Sequence, residues 1–100
     1  MTRSKGRAPN HPGTLLRDVV LPAMRISVAQ AAREMGVSRQ QLYKILSGER
    51  AVTAEMAARL GKYCGNGPEL WLNMQTAYDL WHAQNSLAAE IEEIPTRAAS

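Results

Sequence analysis

The chain of 100 residues has a single cysteine, Cys64, and only two histidines, His11 and His82. One thiol allows no intrachain disulfide, and these three residues are not spaced as ligands for structural zinc. In its apolar helical context Cys64 reads as a small core residue, with a reactive thiol as the other reading. No run approaches the roughly 18 to 20 apolar residues that a membrane span needs, and MTRSKGRAPNHPG has no apolar segment behind its charges. Neither a span nor a signal peptide is expected, and the expected compartment is the cytoplasm. A glycine-rich phosphate loop, HExxH and GxSxG are also missing, and neither histidine has a nucleophile beside it. No enzyme, cofactor or metal site is therefore expected, and both histidines read as surface or interface residues. Internal repeats and strand candidates are lacking as well.

Hydrophobic residues at 45% and charged residues at 21% are ordinary for one soluble domain, folding alone or as a dimer. The charge is unevenly spread. Residues 1–50 hold nine Lys and Arg against Asp18, Glu34 and Glu49, a balance of +6, whereas residues 51–100 hold three against six, a balance of −3. A basic half and an acidic half suggest two partners, the first polyanionic, although chance asymmetry of a solvated surface gives the same count.

Residues 1–10, with Arg3, Lys5 and Arg7 and almost nothing to bury, read as a flexible basic arm. Leu15, Leu16, Val19 and Val20 then recur at helical spacing and predict a first helix over about 13–21, stopping near Pro22. Ser27 with Gln30 forms a capping-box pattern that opens a second helix over about 28–35, carried by Val28, Ala31, Ala32 and Met35 and closed by Gly36. The same signal recurs at Ser38 with Gln41, predicting a third helix over about 39–47 buried through Leu42, Ile45 and Leu46. Thr53 caps a fourth, with Met56, Ala57, Leu60 and Cys64 in register, which Gly65-Asn66-Gly67 ends. Pro68 opens a fifth, where Leu70, Trp71, Met74, Ala77, Tyr78 and Trp81 form a broad apolar stripe and Asn73, Gln75, Thr76 and Asp79 lie outside it. Core packing is one reading of that stripe, a self-association face the other. Leu87, Ala88, Ile91 and Ile94 extend the helical pattern to Pro95, and residues 95–100 read as disordered.

Two short helices joined by a glycine turn make a helix-turn-helix, whose second helix can lie in the DNA major groove. Ala31 and Ala32 let the helices approach, Gly36 makes the turn, and Val37 plugs it. Arg39, Gln40, Tyr43 and Lys44 then stand on the outer face of the third helix. Arg and Lys donate to guanine O6 and N7, Gln pairs with adenine, and Tyr43 suits a thymine methyl or a phosphate. Ser38 places a hydroxyl and neighbouring amides toward a phosphate. No Asp or Glu occurs in residues 38–48, unlike a merely solvated face.

With these residues in view, the chain resembles the HigA-type (VapI-like) antitoxins, which carry an Xre, lambda-repressor-like helix-turn-helix. The matching segments are HPGTLLRDVVLPAM, VAQAAREMGVSRQQLYKILSGERAVTAEMAARLGKYCG and GPELWLNMQTAYDLW, together about residues 11–81. The central segment alone indicates the Xre class, and the flanking two narrow it to the antitoxin branch. The resemblance implies an all-α, five-helix lambda-repressor-like domain with an extended C-terminal helix. It also implies a homodimer that binds a palindromic operator in its own promoter, and a HigB/RelE-like mRNA-cleaving toxin held inactive. The base-reading role carries over to Arg39, Gln40 and Lys44, and the phosphate role to Ser38. Two positions depart from the pattern. Val28 replaces the Gln or Thr often used on phosphate, which passes that contact to Gln30 or Arg33, and Tyr43 is bulkier than the small polar residues common there.

The expected organisation is an arm over 1–10, a DNA-binding domain over 11–85 with a dimerising fifth helix, and a helical extension and tail over 86–100. Leu70, Trp71, Met74 and Trp81 are the expected core of the dimer interface, since Trp is enriched in binding hot spots. The arm reads either as reaching an adjacent groove or as a solvated tail. A basic toxin suits Glu90, Glu92 and Glu93, or Asp18 and its neighbours. The rival readings are an orphan Xre-family repressor without a toxin and a protein-interaction module without DNA binding.

Overall fold

The helical spacing ends the first helix at Pro22, but in the computed structural model, which describes residues 7–99, the chain stays helical from 12 to 24. This helix, α1, consists of α-helical Pro12–Leu15, a π-helical turn Leu16–Val20 and α-helical Leu21–Met24. A proline within an α-helix lacks an N–H and its ring meets the carbonyl four residues back. The wider π turn, in which the Leu21 N–H donates to the Leu16 carbonyl, absorbs that conflict and lets Pro22 stand in the first turn of a new α-helical segment. The helix closes at Arg25, whose left-handed φ of 57° is the only positive value on a non-glycine among the described residues.

The next four helices start where side-chain caps and proline put them: α2 (Val28–Met35), α3 (Arg39–Leu46), α4 (Ala54–Cys64) and α5 (Pro68–Ser86). Ser27, Ser38 and Thr53 each accept the backbone N–H three residues on, at 3.1, 3.0 and 3.2 Å. Only half of the capping box at α2 forms. The Gln30 side chain turns outward and donates to Glu34 at 3.1 Å instead of reaching back to Ser27. Gly36 closes α2 at φ 77°, a conformation that a side chain resists. The chain breaks at Leu87 rather than continuing, and a short α6 (Ala88–Glu92) follows.

Leu16, Leu42, Ile45, Leu60 and Trp71 are the fully enclosed centre of one core, with Ala31, Ala32, Met56 and Ala57 at the close crossings. The first half of α5 covers this core. From Asp79 to Ala99 every residue except Trp81 is exposed, so the second half of α5 and α6 stand away from it. Cys64 is half-buried at the core's rim, where burial pushes its thiol pKa up and favours the neutral form.

Two polar residues correct the sequence reading. Gln75, placed outside the apolar stripe, is 4% exposed. Its Oε1 accepts the Val52 N–H at 2.7 Å and its Nε2 donates to Asp79 at 2.9 Å, which fastens the segment between α3 and α4 to α5. Period counting cannot distinguish a polar side chain facing solvent from one facing a buried amide. Replacing Gln75 with leucine is expected to cost about 1–3 kcal/mol in a urea melt, because the Val52 N–H loses its acceptor while remaining enclosed. His11, read as a surface or interface residue, is 6% exposed and caps α1, with Nδ1 accepting the Gly13 N–H at 2.9 Å.

Candidate nucleic-acid interface

Helices α2 and α3 form the helix-turn-helix, and both ends of α3 are held from inside the domain. At its start, Val37 packs on the core while Ser38 caps the first turn. At its end, Leu42, Ile45 and Leu46 are buried and α1 lies across the last turn. Gly13 touches the Ile45 carbonyl so closely that a Cβ there would overlap it. The Arg17 guanidinium donates to the Leu46 carbonyl at 3.4 Å, where a cation suits the negative end of a helix. Asp18 accepts from Nε and Nη2 of Arg17 at 2.7 and 3.0 Å, and this pairing lowers the Asp18 pKa.

The outer face of α3 is left to solvent. Arg39, Gln40, Tyr43 and Lys44 are all exposed, Tyr43 at 55%. Among the described residues neither the Arg39 nor the Lys44 side chain makes a hydrogen bond or ion pair. Gln40, Tyr43 and Lys44, with Ser47 and Glu49, line a shallow groove of about 470 Å³. Glu49 is the one carboxylate on this lining and lies one residue beyond the acid-free stretch. Ser38 is exposed; its Oγ accepts from Gln41, which leaves the hydroxyl proton to donate outward.

Of the residues proposed for phosphate at α2, Arg33 is exposed and Gln30 is half-buried with its amide on Glu34. Glu34 also accepts the Tyr63 hydroxyl at 2.6 Å. These two bonds, the tyrosine's first, lower the Glu34 pKa and keep it a carboxylate. Desolvation, reinforced by Glu34, pushes the Tyr63 pKa up to about 12. The pair ties α2 to α4. Arg59 of α4 adds a bond to the Met35 carbonyl at 2.7 Å, a C-terminal cap for α2 that no local pattern signals, because the two residues lie 24 apart in sequence.

On α5 the broad stripe splits in two. Trp71 and Gln75 face inward, whereas Leu70, Met74, Ala77 and Trp81 follow one another at helical spacing beside them. Trp71 has no exposed surface in its own chain and its indole N–H donates to Asn66 at 2.9 Å, so it belongs to the core and is not available to a second chain. Leu70 is exposed, and Met74 and Trp81 are half-buried. Met74 and Ala77 border a groove of about 410 Å³ shared with Leu15 and Val19 of α1. Of the basic arm, Arg7 is exposed, and Arg3 and Lys5 lie outside the described residues. Among the described residues no helix is long and apolar enough to cross a membrane, and no group of three or more His, Cys, Asp and Glu is placed to hold a metal.

The geometry agrees with what the chain is similar to. The helix-turn-helix family HTH_3 matches residues 16–72. Virulence-associated protein I of Dichelobacter nodosus is 42% identical over 74% of this chain and 68% of its own. Antitoxin HigA-1 of Vibrio cholerae is 36% identical over 88% of this chain and 83% of its own. The solved structure of Pseudomonas aeruginosa antitoxin HigA with the higBA promoter superposes with a TM-score of 0.84 at 36% identity, covering 90% of this chain and 99% of that one. The chain therefore belongs to the HTH_3 helix-turn-helix family and, within it, to the HigA-type antitoxins.

Proposed function

We propose that the chain is the antitoxin of a type II toxin–antitoxin module: a homodimer that represses its own operon at a palindromic operator and neutralises a HigB/RelE-like mRNA-cleaving toxin. The observation that carries the DNA half is the outer face of α3, cationic, solvent-facing and, among the described residues, with no partner for Arg39 or Lys44, on a helix whose other face is buried. Arg39, Gln40, Tyr43 and Lys44 read base edges, while Ser38 and Arg33 hold phosphates and Gln30 contributes once its amide leaves Glu34. Dimerisation sets two such helices about 34 Å apart, one turn of the duplex. Leu70, Met74 and Trp81 of α5, with Val19 across the groove on α1, form the apolar surface for the second copy. The likeness to an antitoxin solved on promoter DNA supports autoregulation, and the net negative second half of the chain supports a basic toxin.

The test is to co-express the chain with its neighbouring reading frame, determine the mass of the eluted species by light scattering, and titrate it onto the upstream DNA at two salt concentrations. A co-eluting small basic protein and tight, salt-sensitive binding to a palindrome are expected. A lone dimer that binds the DNA would make the chain an orphan repressor. Failure to bind DNA at either salt would overturn the role of α3.

A further inference from the structure

His11 is the one buried imidazole of the chain, and it stands where three parts of the domain meet. Its Nδ1 caps α1 by accepting from Gly13, the residue whose backbone rests on the Ile45 carbonyl of α3. Its ring lies just under 4 Å from the position of a Cβ on Gly48, in the turn that leaves α3. Its other side packs edge-on against Tyr78 of α5 with the centroids 5.0 Å apart. Because Nδ1 accepts, the proton of the neutral ring is on Nε2, which is enclosed and, among the described residues, has no partner in hydrogen-bond geometry.

We propose that His11 is a positioning residue for the recognition helix, effective only as the neutral imidazole, so that acidification weakens DNA binding by releasing α1 from the end of α3. The inference rests on the DNA-binding reading above. A second proton must go to Nδ1, and the cap then presents a donor to the Gly13 donor 2.9 Å away. The groups facing the ring are the Arg50 backbone carbonyl from the turn, Asp79 and Tyr78 from α5, with His82 behind Tyr78 at 4.4 Å, and Asp18 along the shared groove. Burial lowers the His11 pKa below 6.5, and the opposing pulls of the Arg50 carbonyl and Asp79 are smaller. The folded state thus takes up the proton less readily than the unfolded chain. The clamp is at full strength above the ordinary value and is lost as pH falls from it toward the lowered one.

The experiment measures affinity for duplex DNA from immediately upstream of the chain's own reading frame between about pH 8 and about pH 5.5. The temperature is chosen so that far-UV circular dichroism shows a folded protein throughout. Three proteins are compared: wild type, His11→Asn, whose amide oxygen can cap α1 but does not titrate, and His82→Asn. Wild type and His82→Asn are expected to weaken across this range by more than His11→Asn, by up to the roughly tenfold that one proton taken up over one pH unit allows, with His11→Asn within about threefold of wild type at the alkaline end. Equal pH profiles for wild type and His11→Asn would overturn the proposal, as would a flat wild-type profile. If no protein binds DNA at any pH, the DNA-binding reading has failed instead. His11 is then judged by thermal unfolding: a melting temperature that falls on acidification in wild type but not in His11→Asn upholds the clamp, and parallel falls refute it.

Discussion

Replacing Gly13 with alanine is expected to destabilise the domain by about 3 kcal/mol, at the upper end of the usual cost of overpacking, and to lower its melting temperature by roughly 12–24 °C. The reason is steric and not conformational. Gly13 lies in the first turn of α1, where any residue adopts the backbone angles, but its missing Cβ is the space occupied by the Ile45 carbonyl. That oxygen is backbone, held within the last turn of α3, and cannot rotate away as a side chain would. Relief must come from lifting α1 off α3, which also separates Arg17 from the Leu46 carbonyl and unseats His11. Gly65→Ala supplies the contrast. Its φ of 77° makes alanine strained there, but nothing lies within 4 Å, so a cost of only about 1 kcal/mol is expected. Paired thermal melts check the argument: if Gly13→Ala melts no lower than Gly65→Ala, the contact between α1 and α3 is not the constraint described.

The same glycine shows how far the sequence could be read. The starts of α2, α3, α4 and α5 follow from Ser27, Ser38, Thr53 and Pro68, because a cap acts within one turn and its signal is local. The outward set Arg39, Gln40, Tyr43 and Lys44 was legible for a related reason: Leu42 and Ile45 fix which side of α3 is buried, and the remainder must face out. What stayed hidden depends on residues far apart in the chain. Nothing around Gly13 announces Ile45, and nothing around Gln75 announces the Val52 amide it satisfies 23 residues away. Trp71 reads as a partner contact in the sequence because an α5 stripe that is too wide looks alike whether its excess meets this chain's core or another chain. Only the packing shows that Trp71 is on the inner row and Leu70, Met74 and Trp81 on the outer. Pro22 does not stop the helix because a π turn precedes it and places it in the first turn of the next α-helical segment.

The double variant Arg39→Ala, Lys44→Ala is expected to lose specific operator binding by about 30-fold or more while its melting curve stays within about 0.5 kcal/mol of wild type. Each base-directed contact is worth about 1–3 kcal/mol, and every 1.4 kcal/mol is tenfold, so the pair spans about 30-fold to 10⁴-fold. Stability should be nearly indifferent, since both side chains are exposed and lack partners among the described residues. Toxin binding should survive, since the net negative second half of the chain is untouched. Salt dependence distinguishes the two roles these cations can have. If they read bases, the loss is concentrated on the operator and affinity for unrelated duplex changes little. If they only neutralise phosphates, affinity falls by the same factor for every sequence, and the slope of log K against log salt drops by about one for each cation removed. Arg39→Lys refines the result at one position, because it keeps the charge and removes the planar pair of donors that fits guanine. An operator affinity unchanged in the double variant would mean that another surface of the domain faces the DNA, and with it the orientation of α3 assigned to the complex would fall.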